Sequence, residues 1–289
     1  MNLINTSVSR RSFLAGAGAL IAAGSLAACN SGDNATSGNG SAPAESTKLV
    51  VAASPSPHAV ILNDYAASRL ADEGIELEVK EYTDYILPNQ DTTSGDVDAN
   101  YFQHINYLNN YNEENGTDLV NVGKIHFEPM GVFPGKSSDI DNIADGATIA
   151  VPNDPTNEGR ALLLLQDLGL ITLDSDAGIT ATPNNIVDNP HNIQFSEQEA
   201  AALPRTVADV DFAVINGNYA IDAGLKLEDA VAQEDASSDV IQEEYANVIV
   251  TTPEKEDDER ITKLVKILQT DDFKAFLKET FGDAVQAAF

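Results

Sequence analysis

The apolar positions of this chain fall into two patterns. Leu49-Val50-Val51-Ala52-Ala53 is a continuous apolar run, as in a strand buried on both faces of a sheet. Ile75-Glu76-Leu77-Glu78-Val79-Lys80-Glu81-Tyr82 alternates apolar with charged residues, as a half-exposed strand does. Between them the loop Ser54-Pro55-Ser56-Pro57-His58 leads into an expected helix over 59–72, which Gly74 ends. A β-α-β unit with a right-handed crossover makes these strands parallel neighbours. A turn at Asp84 to Asn89, a short strand ending near His104 and a helix over 105–115 follow.

Downstream, one design occurs twice. Ala147 to Val151 reads as a buried strand, Pro152 to Pro155 as a turn, and Thr156 or Asn157 as the cap of a helix that carries Arg160 and then four leucines. Asp211 to Asn216 is again a strand, and Gly217-Asn218-Tyr219-Ala220 opens a helix. Ile140 to Ala144 reads as a short helical segment, and Ser196-Glu197-Gln198-Glu199 as a capping box before another helix. Ile261, Leu264, Val265 and Leu268 share one face of a helix near the C-terminus. The extended stretch Ile125 to Phe133 is expected to cross into a second lobe, and Tyr245 to Val250 to cross back. The predicted fold is α/β: two lobes of mixed sheets flanked by helices, a periplasmic-binding-protein-like architecture whose two crossings form a hinge. Residues 47–130 with 249–289 make lobe 1, and 131–248 make lobe 2.

The first 28 residues change this picture only at its edge. Ser9-Arg10-Arg11-Ser12-Phe13-Leu14 is a twin-arginine pattern, and the apolar run up to Ala28 is too short and too rich in Gly and Ala for a membrane span. Leu26-Ala27-Ala28-Cys29 looks like a bacterial lipobox, which makes residues 1–28 a signal peptide and Cys29 the lipidated residue. Cys29 is the sole cysteine, so no internal disulfide framework is available. Residues 29–46 are Ser, Gly, Asn and Ala with almost nothing bulky to bury, a flexible tether. The expected location is the extracytoplasmic face of the cell membrane, held by lipid. A formal net charge of −30 argues against nucleic-acid binding and against a polybasic hold on the membrane.

Candidate chemistry then concentrates in three places. Arg160 near a helix N-terminus suits an anion, because free N–H groups, the helix dipole and a guanidinium fork converge. Tyr85, Tyr101, Phe102, His104 and Tyr107 interleave with Asn100, Gln103 and Asn106, the composition of a small-molecule pocket. Asn216 ends a strand as the 152–157 loop does, where ligands of open α/β sheets bind. No Gly-x-Ser-x-Gly elbow and no Cys–His pairing is present, so no enzyme is expected. His58, His104, His126 and His191 form neither a His-rich loop nor a His-x-His pair, so no metal and no cofactor are expected.

Six blocks carry a specific resemblance: Ser56-Pro57-His58-Ala59; Asp84 to Asn89; Gly95 to Asn100 with Phe102-Gln103-His104; Val151 to Arg160; Val214-Ile215-Asn216; and Ala246 to Val250. In this order they resemble the NlpA/MetQ family of methionine-binding lipoproteins over about 49–289. The resemblance implies an extracytoplasmic solute-binding protein, a monomer, that delivers L-methionine to the permease and ATPase of an ABC importer. A methionine-containing dipeptide or another amino acid is the alternative ligand; a metal-binding lipoprotein or a surface adhesin is a more distant one. Carried over by position, the ligand contacts are Tyr85, Phe102, His104, Tyr107, Arg160, Asn216 and Asn247, with His58 a weaker candidate. Arg160 is expected to hold the carboxylate bidentately, the two asparagines to serve the ammonium and carboxylate, and the aromatic rings to line the thioether slot. Tyr101 departs from the family pattern, where a small residue is usual, and its bulk is expected at the pocket edge.

Overall fold

The structure, a computed structural model, describes residues 47–289. Cys29 and the expected signal and tether lie outside the described residues.

The apolar run at the start of the body becomes β1 (Lys48–Ala53), and the alternating one becomes β2 (Glu76–Glu81). They pair in parallel from Lys48↔Glu76 to Ala53↔Glu81. The other edge of β1 pairs in parallel with β3 (Ala99–His104), so β1 is covered on both sides while β2 keeps Glu76 and Glu81 exposed at the sheet margin. β4 (Val120–Phe127), β12 (Asn247–Thr251) and β13 (Gln286–Ala287) complete this sheet in antiparallel pairings, giving the order β2-β1-β3-β12-β4-β13.

A second sheet is built from β5 (Gly131–Pro134), β6 (Thr148–Pro152), β9 (Gln194–Gln198), β10 (Phe212–Ile215) and β11 (Ala232–Gln233), in the order β11-β5-β10-β6-β9. A small antiparallel pair, β7 (Thr172–Leu173) and β8 (Ile186–Asp188), stands apart from both. The chain passes from the first sheet to the second between β4 and β5. It returns from the helix Asp239–Tyr245 into β12. Mixed sheets, flanking helices and two crossings make this the expected two-lobed α/β fold.

Strand periodicity sorts the second lobe's core. Ile149 and Val151 of β6, with Phe212 and Val214 of β10, cluster with Leu162 and Leu165 of the helix Pro155–Asp167. The alternate residues Ala150, Ala213 and Ile215 cluster with Leu203 and Tyr219. Leu162 and Leu165 are fully buried, and each contributes about 1.5–3 kcal/mol of apolar burial. That burial anchors the helix whose first turns face the cleft. In the first lobe, Ile261 and Leu264 of the helix Glu259–Ile267 pack with Leu49, Val51 and Phe273.

Three local expectations are corrected. Ser196 lies in β9 and pairs with Ala150 of β6 rather than capping a helix; the open edge of β6 offers a ladder of backbone hydrogen bonds that outweighs one cap. Ile140 to Ala144 forms turns and no helix. The helix expected over 59–72 is regular only at Ala67–Asp72, after wide π-type turns at Pro55–Ala59 and Ile61–Ala66. Pro55 and Pro57 lack the N–H donors of an ordinary first turn.

Candidate ligand-binding site

The parallel strands β6 and β10 end side by side, and each hands over to a helix. Asp154 caps the helix Pro155–Asp167 by accepting from the Asn157 backbone N–H at 3.1 Å, with Pro155 in the first turn. The cap is thus two residues before Thr156 and three before Asn157, and this frees the Asn157 side chain. Asn157 Nδ2 donates to Asp154 Oδ1 (2.8 Å), so its Oδ1 is turned outward. That oxygen accepts from Asn216 Nδ2 at 2.6 Å and lies 3.2 Å from His104 Nε2. Asn157 therefore joins the ends of both second-lobe strands to the first lobe.

His104 ends β3 and caps the helix Ile105–Asn115. Its Nδ1 accepts from the Tyr107 backbone N–H (3.1 Å), which leaves the proton on Nε2 to be donated to Asn157. Burial, with the nearby Arg160 charge, lowers its pKa to about 3, so the ring is neutral at pH 7. Asn216 Oδ1 is buried and accepts no hydrogen bond among the described residues.

Arg160 is 4% exposed and already engaged. Its Nε donates to Glu234 Oε1 (2.7 Å), and its Nη2 donates to Glu234 Oε2 (2.6 Å) and to the Glu128 carbonyl oxygen (2.9 Å). Its Cζ lies 4.2 Å from the centroid of the Tyr245 ring. The Nε–Nη2 edge is therefore spent on Glu234. This corrects the expected bidentate grip on a ligand carboxylate: only the Nη1 end of the fork remains for one.

The rings form a box. Tyr85 lies 5.8 Å from Phe102, 5.7 Å from Tyr107 and 4.8 Å from Tyr219, measured between centroids. Tyr107 Oη donates to the Tyr85 carbonyl (2.9 Å), and Tyr85 Oη donates to Asn218 Oδ1 (2.5 Å). Tyr85 precedes the first-lobe helix Leu87–Ser94 and Asn218 lies in the second-lobe helix Gly217–Asp222, so the Tyr85–Asn218 bond spans the cleft. The described conformation is closed over its cavity.

Glu128 stands in the cavity wall just beyond β4. Its Oε1 is 2.6 Å from His126 Nε2 and 3.5 Å from His58 Nε2. Burial pushes its carboxyl up to about 7, against the opposing pull of His58, of Arg160 and of the Asn218 backbone N–H. Gly217 allows this approach: a Cβ there would fall 2.7 Å from Glu128 Cβ and 3.2 Å from the Pro129 carbonyl oxygen. Behind the wall, His58 Nε2 contacts Asn247 Oδ1 (2.9 Å). The oxygen can only accept, so His58 carries its proton on Nε2 and Asn247 Nδ2 is left to donate. Burial lowers His58 to about 4 and His126 to about 3.

Tyr85, Phe102, His104, Tyr107, Arg160, Asn216 and Asn247 all line one cavity, together with Glu128, Asn157, Gly217 and Asn218. His58 sits one layer behind, through Asn247. Tyr101 does not line the cavity; its hydroxyl meets His126 Nδ1 beneath the wall, which corrects the expectation of bulk at the pocket edge. Asn100 is also absent from the cavity, and it ties β3 to Asn89 and Thr92 of the helix Leu87–Ser94. Glu128 escaped sequence reasoning, although an acidic residue two positions from His126 in an otherwise apolar stretch was a usable signal. His58, His126 and Glu128 each offer a donor atom, all within 4.8 Å of one another. A zinc ion about 2.0–2.1 Å from each donor would hold a tetrahedral pair roughly 3.3 Å apart. The 2.6 Å contact of His126 with Glu128 is a hydrogen bond.

A closed cavity between two α/β lobes, at the carboxyl ends of parallel strands and lined half by rings and half by amides and charges, defines a solute-binding protein. The chain belongs to the NlpA lipoprotein family, whose model matches residues 49–289. It is 41% identical to the D-methionine-binding lipoprotein MetQ of Salmonella typhimurium over 76% of this chain and 82% of that protein. The crystal structure of a lipoprotein from Ruminococcus gnavus is 47% identical, with a TM-score of 0.81 over 83% of this chain and 99% of that one. A nutrient-binding protein from Burkholderia cenocepacia bound to methionine is 39% identical, with a TM-score of 0.78 over 83% of this chain and 100% of that one.

Proposed function

We propose that this chain captures one molecule of methionine between its lobes and delivers it to the permease and ATPase of an ABC importer. It does so as a monomer held at the extracytoplasmic face of the membrane by lipid on Cys29. The observation that carries the ligand assignment is the division of one small cavity into an aromatic half and a zwitterion-binding half. Tyr85, Phe102 and Tyr107 offer faces to a thioether, about 0.3–1.5 kcal/mol per contact. Glu128 and the unpaired Asn216 Oδ1 accept from the ammonium. Arg160 Nη1 and Asn247 Nδ2 donate to the carboxylate.

The lobes we infer are 47–130 with the C-terminal segment, and 131 to the second crossing. Sheet membership supports placing that crossing just before Asn247, slightly ahead of the 248/249 boundary read from sequence. Among the described residues no helix is long and apolar enough to cross a membrane. Calorimetry on ligand-stripped protein with L-methionine, D-methionine and a methionine dipeptide tests the reading. Heat from a free enantiomer supports it, heat from the dipeptide alone moves the ligand to peptide, and no heat from any of the three removes the solute-binding reading.

A further inference from the structure

Glu128 is held from behind by residues that ligand contact does not explain. His126 on β4 reaches its Oε1 with Nε2 at 2.6 Å, and Tyr101 on β3 reaches His126 Nδ1 with its hydroxyl. Tyr101 and His126 are fully buried, and neither lines the cavity. We propose that capture of an amino acid is coupled to release of one proton from Glu128, and that Tyr101 and His126 form a relay keeping this carboxyl hydrogen-bonded in both protonation states. The inference rests on the amino-acid reading above.

The relay runs in either direction. With Glu128 ionised, the Tyr101 hydroxyl donates to His126 Nδ1, and Nε2–H donates to Glu128. With Glu128 protonated, its O–H donates to Nε2, and Nδ1–H donates to the tyrosine oxygen. Both states keep two hydrogen bonds, and a tautomer change of one neutral ring connects them; the protonated state leaves the tyrosine's own O–H without an acceptor among the described residues. His58 cannot substitute, because its Nε2 proton is committed to Asn247 Oδ1.

The empty cavity gives Glu128 no matched positive charge. The titratable and charged groups facing it are His58 in the turn after β1, Tyr85 in the loop after β2, Tyr101, His126, and Arg160 with its partner Glu234. The histidines are neutral at pH 7, the tyrosines are uncharged, and the Arg160 charge is matched by Glu234. Burial therefore leaves the carboxyl near half-protonated at neutral pH. A ligand ammonium supplies the missing charge. Binding converts Glu128–COOH plus R–NH3+ into the carboxylate–ammonium pair and one proton, which passes to the solvent buffer.

The test is calorimetry with L-methionine in phosphate and in Tris, buffers of different ionisation enthalpy, on purified ligand-free protein at pH 6, 7 and 8. The expected release is most of a proton at pH 6, about half at pH 7 and little at pH 8, with affinity falling by up to about tenfold per pH unit below neutrality. The des-amino analogue 4-(methylthio)butanoate, which has no ammonium, is expected to release none. Glu128→Gln should abolish the release and flatten the pH profile. Tyr101→Phe leaves an orphan acceptor at His126 Nδ1 in the ionised state but an orphan N–H in the protonated one. The wild-type protonated state already leaves the buried tyrosine O–H without an acceptor, so the loss falls on the ionised state and the midpoint is expected to move to higher pH. A purely structural Tyr101 would weaken binding equally at every pH. Methionine heat without buffer dependence, or with proton uptake, overturns the coupling and leaves the capture reading standing. No heat in either buffer overturns the capture reading itself.

Discussion

Glu234 meets the Nε–Nη2 edge of Arg160 through two contacts of 2.7 and 2.6 Å, 74 residues apart in sequence and with both side chains buried. Glu234 Oε2 also accepts from the Met130 backbone N–H at 2.8 Å, so the carboxylate is itself fixed. Removing one partner strands the other charge in the interior. Arg160→Ala and Glu234→Ala are each expected to lower unfolding stability by about 3–5 kcal/mol. In urea denaturation the double variant should lose less than the sum, because no charge is then stranded. Strict additivity would show that the pair is not a unit. Arg160→Ala should also remove most methionine affinity, while Glu234→Gln keeps the guanidinium in the site and a measurable part of the binding.

Much of this fold was readable because its signals are local. The apolar run at β1, the Pro-Asn-Asp-Pro turn after β6 and the strand ending at Asn216 each carry their own cause within a few residues. The Arg160–Glu234 pair was not readable. Gln233-Glu234-Asp235 looks like any solvated acidic run, and Glu234 becomes buried only because β11 pairs with β5. Tyr101 was misplaced for a similar reason. The partner that holds its hydroxyl, His126, lies on another strand, 25 residues further along the chain, and nothing next to Tyr101 in sequence announces it.

Tyr85 Oη is bonded to Asn218 Oδ1 across the cleft. Tyr85→Phe keeps the ring in the aromatic box and deletes that bond, along with nothing else the cavity uses. A single neutral hydrogen bond is worth about 0.5–1.5 kcal/mol, so methionine affinity should fall roughly 2- to 13-fold. The loss should appear mainly as faster dissociation in stopped-flow measurements, because the bond acts on the closed state. An unchanged dissociation rate would mean that the contact does not help hold the lobes together.

Stability of the ligand-free protein should pass through a maximum in mildly acidic solution. His58, His104 and His126 have folded pKa values of about 4, 3 and 3, below the ordinary 6.5. The unfolded chain therefore binds more protons below pH 6.5, and stability is lost as pH falls toward 4. Asp98, Asp211 and Asp258, held low by their hydrogen bonds and ion pairs, add to that loss in more acid solution. Glu128 and Glu158 act oppositely. Burial raises them to about 7 and about 8, so the folded state holds extra protons, and stability declines as pH rises through 4.5 toward 8. Above 6.5 the histidines no longer contribute and the glutamates decide the sign. Urea unfolding should find the protein more stable at pH 6 than at pH 8 and less stable again at pH 4. A steady rise from 4 to 8 would contradict the assignment of buried, raised carboxyls.

Gly159 offers a test of how tightly the helix of Arg160 is seated. It lies inside the helix Pro155–Asp167, where replacing glycine by alanine ordinarily stabilises by roughly 0.5–1 kcal/mol. Here a Cβ would fall 1.9 Å from the Ile179 carbonyl oxygen and 2.5 Å from its carbon. These are backbone atoms of the segment packed over the helix, and no rotamer change can move them aside. Gly159→Ala must therefore push the helix off that segment, at a cost of about 1–3 kcal/mol or more. The displaced helix carries Asn157 and Arg160, so methionine affinity should fall with stability. Thermal unfolding and calorimetry on this variant read both effects, and a gain in stability would show that the helix packs less closely than the structure places it.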